Sequence, residues 1–368
     1  MRIAFYAPLK PPDHPVPSGD REMARGLWSA LQRAGHQPVL AARLRSYDAA
    51  GDPARQARLA ALGQRAAERV LRRYRAAPES APALWFTYHL YHKAPDLIGP
   101  AVSAALSIPY VVAEASFAAK RQAGPWALGH RAVTAALQQA DAVIGLNSAD
   151  RDGVVPQLAD PGRWVALKPF LDTSRYRMQA RPAGETPRLI AVAMMRHGDK
   201  LASYRLLGRA LAALLDLPWS LDVIGDGPAR GDVEAALAPL GARVRWAGAV
   251  PPDAIPARLA AADLCVWPAV NEAWGMALLE AQASGVPVVA GRCGGVPEIV
   301  AADRTGLLVA PGDVGAFTMA VRGLLLDPAR RAAFAIAARR KAVAEHDIAA
   351  AAHRLGDAIS RLGRARAA

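Results

Sequence analysis

Short apolar runs separated by helix-length stretches recur in two rounds along this chain, and that rhythm restricts it to a parallel α/β architecture. The first round holds Ile3 to Ala7, a run starting at Val39, then ALWFTYHL (83–90), IPYVVAEA (108–115) and AVIGLN (142–147). A helix is predicted from about Arg21 to Ala34, apolar at Met23, Leu27, Ala30 and Leu31 and stopped by Gly35. The rhythm lapses in LDTSRYRMQARPAGETPR (171–188), which has no periodicity and contains Pro182, Gly184 and Pro187. It then restarts with RLIAVAM (188–194), LDVIGDG (221–227), VRWAGAV (244–250), LCVWPAV (264–270), VPVVAG (286–291) and GLLVAP (306–311). From about Pro328 onward the chain reads as helix throughout.

Two doubly wound Rossmann-like domains are therefore predicted, at 1–175 and 188–345, with a linker at 176–187. A last helix over 346–368 is expected to pack back towards the first domain. Sheets of this kind bind ligands beyond the carboxyl ends of their strands, so a ligand is expected in a cleft between the domains. With 52% hydrophobic and 21% charged residues the chain reads as globular rather than disordered. It has no run of about 18 uncharged apolar residues, so no membrane-spanning helix is expected. The apolar start ends at Pro8 and reads as a first strand rather than a secretion signal. Cys265 and Cys293 lack metal-ligand spacing and suit a reducing cytoplasm.

The net charge is +13, and residues 43 to 75 carry nine arginines against Asp48, Asp52 and Glu68. That run is either a solvated helix or a surface for anionic lipid headgroups, phosphates or an acidic acceptor. A peripheral protein on the inner face of the cell membrane is the expectation. Nucleic acid is not expected as a partner, because no aromatic residues interleave with the basic run and no nucleic-acid-binding motif is present.

The chemistry concentrates in PAVNEAWGMALLEAQASGVPVVAG (268–291), where Glu272 and Glu280 stand eight residues apart. Glu272 falls between a strand and a predicted helix that begins near Trp274 or Gly275. Free N–H groups at such a helix start favour an anion, and Gly275 lets the backbone approach a ligand closely. A diphosphate would rest on the N–H groups of Gly275, Met276 and Ala277, and Glu280 would accept two hydroxyl hydrogen bonds of the kind a ribose offers. The bland alternative is that both glutamates merely start and solubilise a helix.

This segment closely resembles the E-x7-E motif of the retaining glycosyltransferases of family 4, which have the GT-B fold. The resemblance continues through ASGVPVVAG (283–291), GGVPEIV (294–300) and TGLLVAPGD (305–313), in the usual order and spacing. AVAMMRHGDKLASYRLLGRALAAL (191–214) resembles the family's first strand-loop-helix unit, which implies that Arg196 and Lys200 grip the donor diphosphate. VIGDGPAR (223–230) resembles the next turn, with Gly225 and Asp226 near the nucleobase edge, and WAGAV (246–250) the strand end beside the base. The resemblance implies a nucleotide-diphosphate sugar as donor, with Glu272 positioning its sugar and Trp274 in the donor-binding stretch. It implies no cofactor and no essential metal, and leaves UDP, GDP and ADP sugars open. A nucleotide-sugar epimerase on the same fold and a non-catalytic binding protein are the alternatives.

The first half resembles the family less closely. After the first strand it has Pro17, Ser18, Gly19 and Asp20 where most members carry two glycines; Gly19 is expected to bring backbone N–H groups near the donor. His36 reads as a turn residue. The family's usual acceptor-side histidine is absent from IPYVVAEAS, and Glu114 stands beside that point as a candidate replacement on donor sugar or acceptor. Tyr88, His89, His92 and Lys93 cluster past another strand end, and Lys120 and Arg121 follow Glu114 in sequence. These are the acceptor candidates, for an acceptor that is lipid-linked or anionic. His89 and His92 have no third ligand at a defined spacing, so a metal site is not expected.

Overall fold

A computed structural model describes residues 1–16, 18–179 and 186–367. Twelve strands form two separate parallel sheets. In chain order the first half contains β1 (Arg2–Tyr6), α1 (Gly19–Arg33), β2 (Gln37–Leu40), α2 (Pro53–Ala76), β3 (Leu84–Leu90), α3 (Gly99–Leu106), β4 (Tyr110–Ala115), α4 (Ala127–Gln139), β5 (Ala142–Gly145), α5 (Arg151–Val154) and β6 (Trp164–Ala166). The second half contains β7 (Arg188–Val192), α6 (Asp199–Ala212), β8 (Ser220–Ile224), α7 (Arg230–Leu237), β9 (Val244–Gly248), α8 (Ile255–Ala260), β10 (Leu264–Trp267), α9 (Met276–Ala283), β11 (Val288–Gly291), α10 (Val296–Ile299) and β12 (Gly306–Val309). Three helices close the chain: α11 (Val314–Leu326), α12 (Pro328–Glu345) and α13 (Ile348–Ala367).

The chain divides into two compact units, Met1–Lys168 with Ile348–Ala368, and Pro169–Asp347. Unit 1 has strand order β2-β1-β3-β4-β5-β6 and unit 2 has β12-β11-β10-β7-β8-β9, every pairing parallel. Parallel strands covered on both faces must be apolar along their whole length, which is why they read as continuous runs rather than alternations. Phe5, Phe86, Val112 and Val143 in unit 1, and Ile190, Val223, Val266 and Val289 in unit 2, are fully buried.

Where sequence and structure part, the reasons are local. β6 was not anticipated, because it is three residues long and half exposed, leaving no apolar run to read. Its Trp164 ring lies against Gly145, where an added Cβ would come within 1.9 Å. The final 40 residues are not one helical stretch. His346, fully buried, breaks them: its Nδ1 meets the carbonyl of Pro169 at 2.7 Å, and its own carbonyl accepts from the Leu171 N–H at 3.0 Å. The residues before the break belong to unit 2, whereas α13 packs on α1 in unit 1. Of the predicted linker, Pro182 and Gly184 lie outside the described residues, as does Pro17, while Tyr176 is buried in unit 2.

Candidate active site

In unit 2 the chain moves outward from β7 to β8 and β9, then returns to place β10 on the other side of β7. Between β7 and β10 the connections leave in opposite directions, opening a crevice at the strand ends. Lys200, in the first turn of α6, and Glu272, in the loop after β10, reach this point from 72 residues apart and form an ion pair between Nζ and Oε2. The Trp267 Nε1–H donates to the same carboxylate oxygen at 3.1 Å, and the Lys200 ammonium lies 5.3 Å from the centre of the Trp267 ring. The two charged side chains keep 25% and 16% of their exposure, so each is partly desolvated and relies on the other.

The loop bearing Glu272 is tied from both sides. Ser203 Oγ accepts from the Val270 N–H at 3.1 Å, and Asn271 Nδ2 donates to Asp199 at 2.9 Å. From the β11 side, Cys293 Sγ accepts from the Glu272 N–H at 3.2 Å and donates to the Ala269 carbonyl at 2.8 Å. Burial raises the Cys293 thiol, which keeps it protonated for that donation. Gly294 comes so close that an added Cβ would lie 2.0 Å from the Glu272 carbonyl.

Helix α9 starts at Met276, one residue later than the latest expected start, because Gly275 caps it in the left-handed conformation (φ 72°, ψ 56°) without a side-chain bond. Leu278 N–H turns back to the Gly275 carbonyl at 2.8 Å, while the N–H groups of Met276 and Ala277 lie in the first turn, where no intrahelical acceptor exists. Glu280 stands one turn further on. Beside it is Tyr176, which the sequence reading had assigned to the linker; its phenol is raised by burial and then by the hydrogen-bonded Glu280. Trp274 covers Gly295, and its Nε1–H is buried with no hydrogen-bond partner.

Arg196 is exposed on the loop between β7 and α6. That loop rests on the turn after β8: Met195 N–H donates to the Asp226 carbonyl at 2.9 Å, and a Cβ on Gly225 would lie 1.9 Å from the Ala193 carbonyl. Gly225 (φ 146°) therefore fixes the course of the loop that carries Arg196. The Asp226 carboxylate pairs with Arg230 at 3.1 Å.

Unit 1 has its own switch point, between β1 and β3. Gly19 opens α1 after the Ser18 cap, and Asp20 in its first turn meets His89 Nδ1, at the end of β3, at 3.2 Å. Glu114, on the neighbouring strand β4, lies 3.9 Å from the same nitrogen. His89 (φ 65°) and Glu114 (φ 58°) both have left-handed backbones. Burial pushes Glu114 up to about 7, against the pull of His89. For His89 burial works downward but is outweighed by Glu114 and Asp20, leaving it raised. Asp150 is raised by burial, against Ser116 and His89. Tyr88, expected on the acceptor surface, is instead 1% exposed within β3, because successive strand residues face opposite sides. His92, Lys93 and Arg121 gather around Trp126, which the sequence reading missed, and Lys120 is exposed nearby in sequence.

Asp150 and Asp152 form an Asp-x-Asp pair that the sequence reading passed over; Asp152 is exposed. Among the described residues no group of three or more His, Cys, Asp or Glu side chains is arranged to hold a metal ion.

Residues 186–327 match the family model for glycosyl transferases group 1. Over that stretch the chain is similar to the glycosyl transferases of group 1. The match covers Arg196, Lys200, Gly225, Glu272 and Glu280, but none of the unit 1 cluster. The chain is 34% identical over 228 residues to a 2-deoxystreptamine glucosyltransferase of Streptomyces kanamyceticus, an alignment covering 60% of this chain and 56% of that protein. The chain spans about half the length of the curated relatives it matches. Among solved structures, sucrose-phosphate synthase from Thermosynechococcus elongatus superposes with a TM-score of 0.75 at 21% identity, over 99% of this chain and 100% of that one. Anabaena HepE in complex with UDP and glucose gives 0.71 at 18%, over 98% and 99%. The two Rossmann-like sheets of this chain are thus those of the GT-B fold.

Proposed function

We propose that the chain is a retaining glycosyltransferase that moves a sugar from a nucleotide-diphosphate donor to an acceptor hydroxyl without a metal. The observation that carries this reading is the Lys200–Glu272 pair at the β7/β10 switch point, beside the Gly275-capped start of α9. Lys200, Arg196 and the first-turn N–H groups of α9 supply positive charge where a leaving diphosphate gains negative charge, which is where preorganised donors lower a barrier most. Glu272 orients the donor sugar and Glu280 takes the ribose hydroxyls. The leaving phosphate serves as base, so attack and departure share one face of the sugar and configuration is retained.

The UDP and glucose carried by the HepE structure, and the glucosyltransferase name of the Streptomyces relative, support a nucleotide-sugar donor. Unit 1 takes the acceptor near His89 and Glu114. We assign that acceptor to lipid-linked, glycolipid or surface-polysaccharide synthesis, with the exposed arginines of α2 against an anionic membrane surface.

The test is thermal stabilisation by UDP, GDP and ADP and their common sugars, without metal, in wild type, Lys200→Ala and Glu280→Ala. A ligand at 100 times its dissociation constant stabilises by about 2.7 kcal/mol. One nucleotide series should stabilise wild type and lose its effect in both variants; no stabilisation by any of them would remove the donor site.

A further inference from the structure

We propose that unit 1 carries an anion-binding clamp for a phosphate ester, formed by Lys93, Arg121 and His92 around Trp126 at the start of α4. Lys93 Nζ lies 4.9 Å and the Arg121 guanidinium carbon 4.7 Å from the centre of the same Trp126 ring. The His92 ring stands edge-on to that indole at 5.8 Å. Neither cation has a carboxylate partner among the described residues, so the charge that each brings to the ring is uncompensated. His92 Nε2 is buried without a hydrogen-bond partner, and so is Nε2 of His130, a residue only 5% exposed in the first turn of α4. Burial first, and then the neighbouring Arg121, Lys93 and His130, push the basicity of His92 down.

The acid close by is already engaged. Asp48, buried, accepts from Ala50 N–H at 3.2 Å, Asp52 N–H at 2.9 Å and Gln56 Nε2 at 3.0 Å, with Arg55 4.0 Å away. The same segment builds the frame. Gln56 Nε2 donates to the Pro125 carbonyl at 2.8 Å, its Oε1 accepts from Gly129 N–H at 3.1 Å, and Trp126 Nε1 donates to the Asp48 carbonyl at 3.2 Å. Gly129 lies so close to the His92 carbonyl that a Cβ would come within 2.1 Å. The first turn of the 13-residue α4 is held by the frame itself, since Ala127 N–H donates to the Gly124 carbonyl at 3.1 Å and Gly129 N–H to Gln56, so the side chains around Trp126 supply the positive charge. An ammonium, a guanidinium and a half-buried imidazole on an aromatic plate match a compact, multiply charged oxyanion. The source is either a soluble phosphorylated acceptor or a phospholipid headgroup, and only the identification of the guest as acceptor rests on the transferase reading.

Calorimetric titration of the full chain with inorganic phosphate, glycerol 3-phosphate and glycerol, together with sedimentation on phosphatidylglycerol vesicles, tests the clamp in wild type, Lys93→Gln, Arg121→Gln, Arg121→Lys and Lys200→Ala. Phosphate and glycerol 3-phosphate should bind wild type and K200A, and glycerol should not. R121Q and K93Q should each weaken binding about tenfold or more, with R121K keeping most of it. Vesicle binding lost in the same two variants assigns a headgroup, and vesicle binding unchanged in them assigns a soluble ester. Binding that survives both glutamine variants, falls only in K200A, or never occurs in wild type overturns the clamp. Nucleotide stabilisation should persist in R121Q; its absence from every protein would remove the donor reading and leave the clamp result standing.

Discussion

At the β7/β10 switch point the cation comes from a helix and the carboxylate from a loop; at the β1/β3 switch point a helix supplies the carboxylate and a strand end the imidazole. The loop that leads into the helix of Lys200 and the loop that bears Glu272 pass close to glycines at 225 and 294, positions where any Cβ would collide with backbone oxygen. His89 and Glu114 instead take left-handed backbones without being glycine, a conformation that costs on the order of 1–3 kcal/mol each. One crevice is shaped by glycines and lined by full charges. The other is shaped by strain and lined by groups whose charge follows pH. The same sheet geometry thus frames a Lys–Glu ion pair in one unit and a buried carboxylate–imidazole cluster in the other.

The largest effect expected on this contrast is in unit 2. Lys200→Ala should slow sugar transfer about 100- to 1,000-fold, measured as nucleoside diphosphate release with whichever donor stabilises the wild type. A rate within threefold of wild type would strip the pair of its role. Next is Gly225→Ala, which forces the loop of Arg196 away from the turn after β8 and should destabilise by about 3 kcal/mol in urea unfolding. An alanine tolerated there would mean that glycine does not shape the crevice.

Third, Glu114 is pushed up to about 7 from 4.5, so the folded protein holds that proton more firmly than the unfolded chain. The stability this contributes is fully present below pH 4.5 and is lost as pH rises through about 7, and the raised His89 acts in the same direction. Glu114→Gln should flatten that decline by about 2–3 kcal/mol between those limits. Parallel pH–stability curves for wild type and E114Q would erase the distinction between the two switch points. The smallest effect belongs outside both: Arg65→Ala with Arg69→Ala, on the exposed face of α2, should change stability by less than about 0.5 kcal/mol. The same pair should weaken anionic-vesicle binding by about 1 kcal/mol per residue at low salt. Unchanged, salt-insensitive sedimentation would leave that face as solvated surface.

The parallel sheets were legible because burial on both faces writes a strand as an unbroken apolar run, as in LWFTY and VPVVAG. The donor-side residues were legible through the order of motifs around Glu272 and Glu280. What stayed hidden depends on meetings between residues far apart in sequence. Nothing near Asp20 announces that it will face His89, since only the β1/β3 switch brings them together, 69 positions apart. Tyr176 sat in a stretch without periodicity, and its burial beside Glu280 has no local signature. Nothing in the sequence around Trp126 marks it as the ring on which Lys93 and Arg121 converge.

The break at His346 has a further meaning for how the chain is made. Unit 1 opens at the first residue but lacks α13 until everything through Asp347 has been synthesised. On the ribosome its α1 surface must wait, uncovered, while the whole of unit 2 emerges and folds. Unit 2 is one continuous segment, 169–347, whereas unit 1 is written in two pieces on either side of it. A premature stop just after Asp347 would leave unit 2 intact and strand the half that was translated first.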